Sequence, residues 1–87
     1  MGKQIMISCQ ISFYPLNTKK VNEKVKKVIN IISKSNLEYE SNSLSTIIYG
    51  EADKVYLLLK EITLEMDEDN SEFSMSINIS NSCGCDI

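Results

Sequence analysis

The chain predicts an α+β sandwich, one four-stranded antiparallel sheet with two helices on a single face, and three observations carry that prediction. Residues 6–14 and 72–80 alternate apolar with polar side chains, the period of a strand with two different faces. Residues 21–35 and 52–66 instead repeat apolar side chains at helical spacing. Between them two shorter stretches read as strands, so the order is strand, helix, strand, strand, helix, strand.

The first strand, within MISCQISFYPL, places Ile7, Cys9, Ile11 and Phe13 on one face and Met6, Ser8, Gln10, Ser12 and Tyr14 on the other. The second face is polar yet uncharged, which suits a surface covered by a subunit or a ligand better than one left to water. Pro15 to Thr18 reads as a turn in which Asn17 or Thr18 caps the following helix. In that helix Val21, Val25, Val28, Ile29 and Ile32 form one stripe up to about Ser35, and Asn36 is a left-handed stop.

Leu37 to Ser41 alternates apolar with acidic residues as a half-exposed strand does, and Glu38 and Glu40 read as protection of a sheet edge. Asn42 and Ser43 connect it to a third strand, Leu44 to Tyr49, closed by Gly50, where a backbone departure without a side chain is useful. Since Ile47 and Ile48 are consecutive, one of them must point to the open face. The second helix, from about Ala52 to Met66, aligns Ala52, Val55, Tyr56, Leu59, Ile62 and Met66, and Asp67 to Asn70 form an acidic loop. In the last strand Phe73, Met75, Ile77 and Ile79 oppose Ser74, Ser76, Asn78 and Ser80.

With right-handed crossovers this order gives the ferredoxin-like βαββαβ sandwich, in which the first and fourth strands are neighbours. Their core faces then lie under the helices. Their other sides form a field of hydroxyls, amides and a phenol that the fold leaves open. Residues 1–87 form one such domain, with 81–87 a short C-terminal tail.

At 87 residues the chain is near the size where one core is only just adequate, so oligomerisation would help it. No apolar run of about 18 residues and no signal-peptide pattern is present, which places the protein in the cytoplasm as an expectation. A net charge of -3 argues against nucleic acid. The chain has no His, Arg or Trp, and therefore no Ser-His-Asp or Cys-His unit. Binding rather than catalysis is the expectation.

Charge is segregated, with lysines concentrated in the first half and carboxylates in the second. Two solvated helix faces of opposite sign explain this; head-to-tail pairing of subunits is the alternative. Cys83 and Cys85 make too few ligands for a metal site and read as reduced thiols on the tail. Ser45 and Thr46 either donate to a ligand or satisfy nearby backbone, and Tyr14 either stacks on a heteroaromatic ring or caps the core.

SCQISFYPLN at residues 8–17, LSTIIYGE at 44–51 and MSINISNSC at 75–83 resemble the YkoF-like family of thiamine- and hydroxymethylpyrimidine-binding proteins, and more distantly the related small single-domain thiamine-binding proteins. The resemblance implies non-catalytic binding of thiamine or its pyrimidine part by a carrier, buffer or sensor, with no cofactor beyond that ligand. Members of that family look like two such domains in tandem. A single copy therefore implies a homodimer through the open sheet faces, with dimers paired again into a homotetramer.

Ser12, Tyr14, Ser45, Thr46, Ser80 and Asn81 match the family pattern. Gln10 stands where a relative can carry a basic residue. The donors and acceptors of an aminopyrimidine match the amides and hydroxyls of Gln10, Asn78, Ser12 and Thr46. Tyr14 or Tyr49 can face the cationic thiazolium. A rival of another class is an oligomerisation module without a ligand. An acylphosphatase-type enzyme would need the phosphate-cradling Arg that this chain lacks.

Overall fold

A computed structural model describes residues 5–42 and 45–81. Six elements follow in the order expected: β1 (Met6–Leu16), α1 (Val21–Lys34), β2 (Glu38–Ser41), β3 (Thr46–Glu51), α2 (Ala52–Glu68) and β4 (Glu72–Ser80). The sheet order is β2-β3-β1-β4 and every pairing is antiparallel. This is the ferredoxin-like α+β arrangement.

The core forms where strand alternation meets the helical stripes. Ile7, Cys9 and Ile11 of β1 and Ile48 of β3 are buried against Val28 and Ile32 of α1 and Val55, Leu58, Ile62 and Met66 of α2. Burial pushes the Cys9 thiol pKa up, so the residue is a small buried hydrophobe. The α2 stripe is rotated from the one expected. Leu58 is inside, whereas Tyr56 stands 52% exposed, because Val55, Leu58, Ile62 and Met66 keep the tighter three-and-four spacing.

Several of the expected boundaries move: β3, expected over Leu44 to Tyr49, runs from Thr46 to Glu51, and Ser43 and Leu44 lie outside the described residues. Pro15 and Leu16 are not in a turn but continue β1 opposite Phe73 and Glu72. Pro15 fits there because β3 pairs only with Met6 to Ile11, so its missing N–H removes no ladder bond on that side. α1 then begins at Val21 with no side-chain cap, and Thr18 Oγ1 instead accepts from the Lys20 amide at 3.0 Å. Asp67 and Glu68 belong to α2, leaving Asp69 and Asn70 to close it through bonds to Glu65 and Asp67 carbonyls.

Asn36 stops α1 in the left-handed region at φ 64°, as expected, and Ser35 Oγ accepts from the Leu37 amide at 3.1 Å. Gly50 is not a point of departure from the sheet. It sits inside β3 opposite Ile7, where a Cβ would meet Leu37 Cδ2 at 3.0 Å and Val55 Cγ2 at 3.6 Å. Its role is close packing of α2 and the β2 entry onto the strand.

Ile77 and Ile79 share the helix-side face with Ile11 and Cys9, yet each is 41% exposed. β4 is one of the two sheet edges and the helices lie mainly over β1 and β3, so alternation identifies the side correctly but not the depth of burial. At the other end of β4, Phe73 packs on Phe13 with ring centroids 5.3 Å apart. The segregated charges meet within the chain: Lys24 reaches Asp69 at 2.7 Å and Lys27 reaches it at 3.6 Å.

Candidate functional site

The open sheet face is built by strand register. Gln10 lies opposite Ile47 on one side and Asn78 on the other, while Ser8 lies opposite Tyr49 and Ser80. Toward β2 the same two rows end in Glu40, opposite Ile47, and Glu38, opposite Tyr49. The face therefore presents two adjacent rows, Glu40-Ile47-Gln10-Asn78 and Glu38-Tyr49-Ser8-Ser80. Across its centre runs a groove of about 340 Å³ lined by Ser8, Gln10, Ile47, Tyr49, Asn78, Ile79 and Ser80. That volume lies at the lower end of ligand sites, roughly 300 to 1,000 Å³.

Gln10 is held by Ser45, whose Oγ accepts from Nε2 at 3.3 Å, leaving its amide oxygen for another partner. Tyr49 donates to Glu40 Oε2 at 3.1 Å. That hydrogen bond, with burial and the charges of Glu40 and Glu38, raises the phenol pKa and keeps Tyr49 neutral. The polar groups are thus oriented on a rigid sheet.

The eight residues expected at the site separate into groups. Gln10, Asn78 and Ser80 line the groove and Ser45 holds one of them. Ser12 and Tyr14 share the face, opposite Ser76 and Ser74, but lie beyond the groove toward the end of β1. Asn81 follows the end of β4 and is exposed. Thr46 differs most: it pairs with Ile11 on the helix side, is 6% exposed, and lies 3.1 Å from Ser41 Oγ.

The cause is the parity of β3. With Gly50 and Ile48 inward, Thr46 must also be inward, and Ile47 and Tyr49 take the open face. The sequence narrows the open-face residue to Ile47 or Ile48, and the pairing with β1 selects Ile47. A second cleft, about 100 Å³, lies between α1 and the sheet with Ser41, Asn42, Ser45 and Thr46 at its rim and Ile11, Val28 and Ile32 within. Cys83 and Cys85 lie outside the described residues, among which no group of three His, Cys, Asp or Glu side chains is placed to hold a metal.

The profile of the thiamine-binding protein family matches residues 9–85, nearly the whole chain. The chain belongs to this family. No curated protein sequence matches it at a significant level. Among solved structures, this thiamine-binding family member is similar to a Thermotoga maritima protein named as a candidate thiamine biosynthesis or salvage protein. The two are 21% identical over 86% of this chain and 82% of that one, with a TM-score of 0.78.

A domain of unknown function from Bacillus cereus is 25% identical, covering 88% of this chain and 76% of its own, at a TM-score of 0.78. A Streptococcus pneumoniae protein matches at 0.82 with 19% identity over 95% and 93% of the two chains, a likeness of fold. No described helix of the family member is long and apolar enough to cross a membrane.

Proposed function

We propose that this thiamine-binding family member binds thiamine or its hydroxymethylpyrimidine moiety without turning it over, as a carrier, buffer or sensor. The observation that carries the reading is the central groove, where Gln10 and Asn78 face one another on neighbouring strands beside Ser8 and Ser80. An aminopyrimidine has one exocyclic donor group and ring-nitrogen acceptors. Two carboxamides and two hydroxyls can satisfy both while Ile47 supports the ring face. The reading includes a homodimer in which a second copy covers the open face, and paired dimers forming a tetramer.

A second placement, in the α1 cleft, has in its favour that Ser45 and Thr46 both line it with Ser41 and Asn42. The cleft is small for a whole thiamine, so the groove is preferred. Calorimetric titration with thiamine and with hydroxymethylpyrimidine tests the function directly. Heat of binding from at least one of them is expected, and Gln10→Ala with Asn78→Ala should weaken it about tenfold or more while the oligomer persists, as loss of paired hydrogen bonds in a dry site does. Silence at millimolar ligand would leave the oligomerisation module as the better reading.

A further inference from the structure

The groove is chemically lopsided. Its β4 and β1 side is made of amides and hydroxyls, whereas its β3 wall is Tyr49, with Glu40 hydrogen-bonded to the phenol and Glu38 directly opposite on β2. None of the four strands contains a lysine. Glu51 and Glu72 lie at the ends of their strands and are engaged elsewhere, Glu51 with Lys54 and Glu72 with Asn17. Among the described residues no salt bridge reaches Glu38 or Glu40. Beside the groove's Tyr49 wall, on the neighbouring strand β2, stand two carboxylates that no described lysine pairs with, next to an electron-rich ring that stays neutral.

We infer that Glu38, Glu40 and Tyr49 form a cation-recognising end of the groove, which fixes the ligand's direction and selects a cationic heteroaromatic over its neutral fragment and its anionic esters. This rests on the thiamine reading above and adds an orientation to it. The aminopyrimidine lies on Gln10 and Asn78, and the thiazolium lies against Tyr49, drawn by the ring's negative face and the two carboxylates. Neutral hydroxymethylpyrimidine has nothing to offer this end. A diphosphate on the thiazolium side chain would bring negative charge toward Glu38 and Glu40, with no arginine in the chain to receive it. The β2 edge glutamates are thus binding residues as well as guards of a sheet edge.

The test is calorimetric titration of the full chain, wild type and Glu38→Gln/Glu40→Gln, with thiamine, hydroxymethylpyrimidine and thiamine diphosphate. Wild type should prefer thiamine to both others by about tenfold or more, and the double variant should lose about tenfold for thiamine only. Hydroxymethylpyrimidine affinity should change less than about twofold, which also shows that the variant is folded. Thiamine affinity of the wild type alone should fall as salt rises, because exposed charge is screened. An equal loss for thiamine and hydroxymethylpyrimidine, or no loss for thiamine, would overturn the inference while leaving the thiamine reading intact. If the wild type binds none of the three, both fall together.

Discussion

Asp69 is the one carboxylate on which two lysines converge among the described residues, and its surroundings define a measurable pH dependence. The hydrogen bond from Lys24, a second from Ser71, and the charges of Lys24 and Lys27 lower its pKa from 3.8 to about 2. A carboxyl whose folded pKa is depressed contributes stability that is fully present above its unfolded pKa and is lost as pH falls through the folded value. Asp69→Asn should therefore lower the melting temperature at pH 7. Its difference from wild type should shrink between about 4 and about 2, as thermal melts across that range would read.

Thr46 supports a second prediction at the same scale. Its hydroxyl is buried on the helix side, 3.1 Å from Ser41 Oγ, so Thr46→Val exchanges one internal hydrogen bond for a methyl group. A loss of about 1 kcal/mol in denaturant unfolding, with thiamine affinity unchanged, is expected if the ligand occupies the open groove. A loss of affinity with stability preserved would move the ligand to the α1 cleft.

At the scale of elements, α2 shows how much a helical pattern determines. Its apolar residues outnumber what one face can bury, and Tyr56, Leu57 and Leu64 remain exposed while Val55, Leu58, Ile62 and Met66 are inside. Truncating Ile62 to Ala should cost about 2 to 5 kcal/mol, because the site is enclosed by both helices and the sheet. Tyr56→Ala should stay within about 0.5 kcal/mol. Equilibrium unfolding of Tyr56→Ala, with Ile62→Ala as the buried reference, checks the rotation of the stripe.

The β3 strand gives the same lesson by a different route. Its sequence, TIIYGE, has no clean alternation, since Ile47 and Ile48 are both apolar. Only its antiparallel pairing, with Cys9 opposite Ile48 and Gln10 opposite Ile47, decides which isoleucine faces the helices. Gly50 belongs to this argument as well. Gly50→Ala would press on Leu37 and should cost about 1 kcal/mol through overpacking, a small shift in a chemical melt.

For the whole molecule, the question is what covers the open face and the exposed side of β4. Ile77 and Ile79 are half exposed, and Ile47, Met6 and Tyr14 lie on the face that the helices leave uncovered. The core of this 87-residue chain is small, so a second copy covering such surface, as proposed above, would add stability. Sedimentation should give a dimer or a multiple of it. Ile47→Lys, at the centre of the open face, should shift the distribution toward monomer, whereas an exposed helix substitution such as Leu64→Lys should not.

Element order, sheet class and the inner face of β1 were legible in the amino-acid pattern, because strand and helix periods are local properties and Cys9, Ile11, Val28 and Ile32 repeat them clearly. The pattern also put Gln10 and Asn78 on one open face of neighbouring strands, since the βαββαβ order makes β1 and β4 neighbours; that they stand directly opposite one another is a matter of register. The remaining features depend on register and on where the helices lie over the sheet. Thr46 turned inward while Ser45 stayed with Gln10, Ile77 and Ile79 lay at an uncovered edge, and Glu38 and Glu40 came beside Tyr49 through pairing of β2 with β3. A shift of one residue in pairing reverses every side chain of a strand, and no local pattern records it.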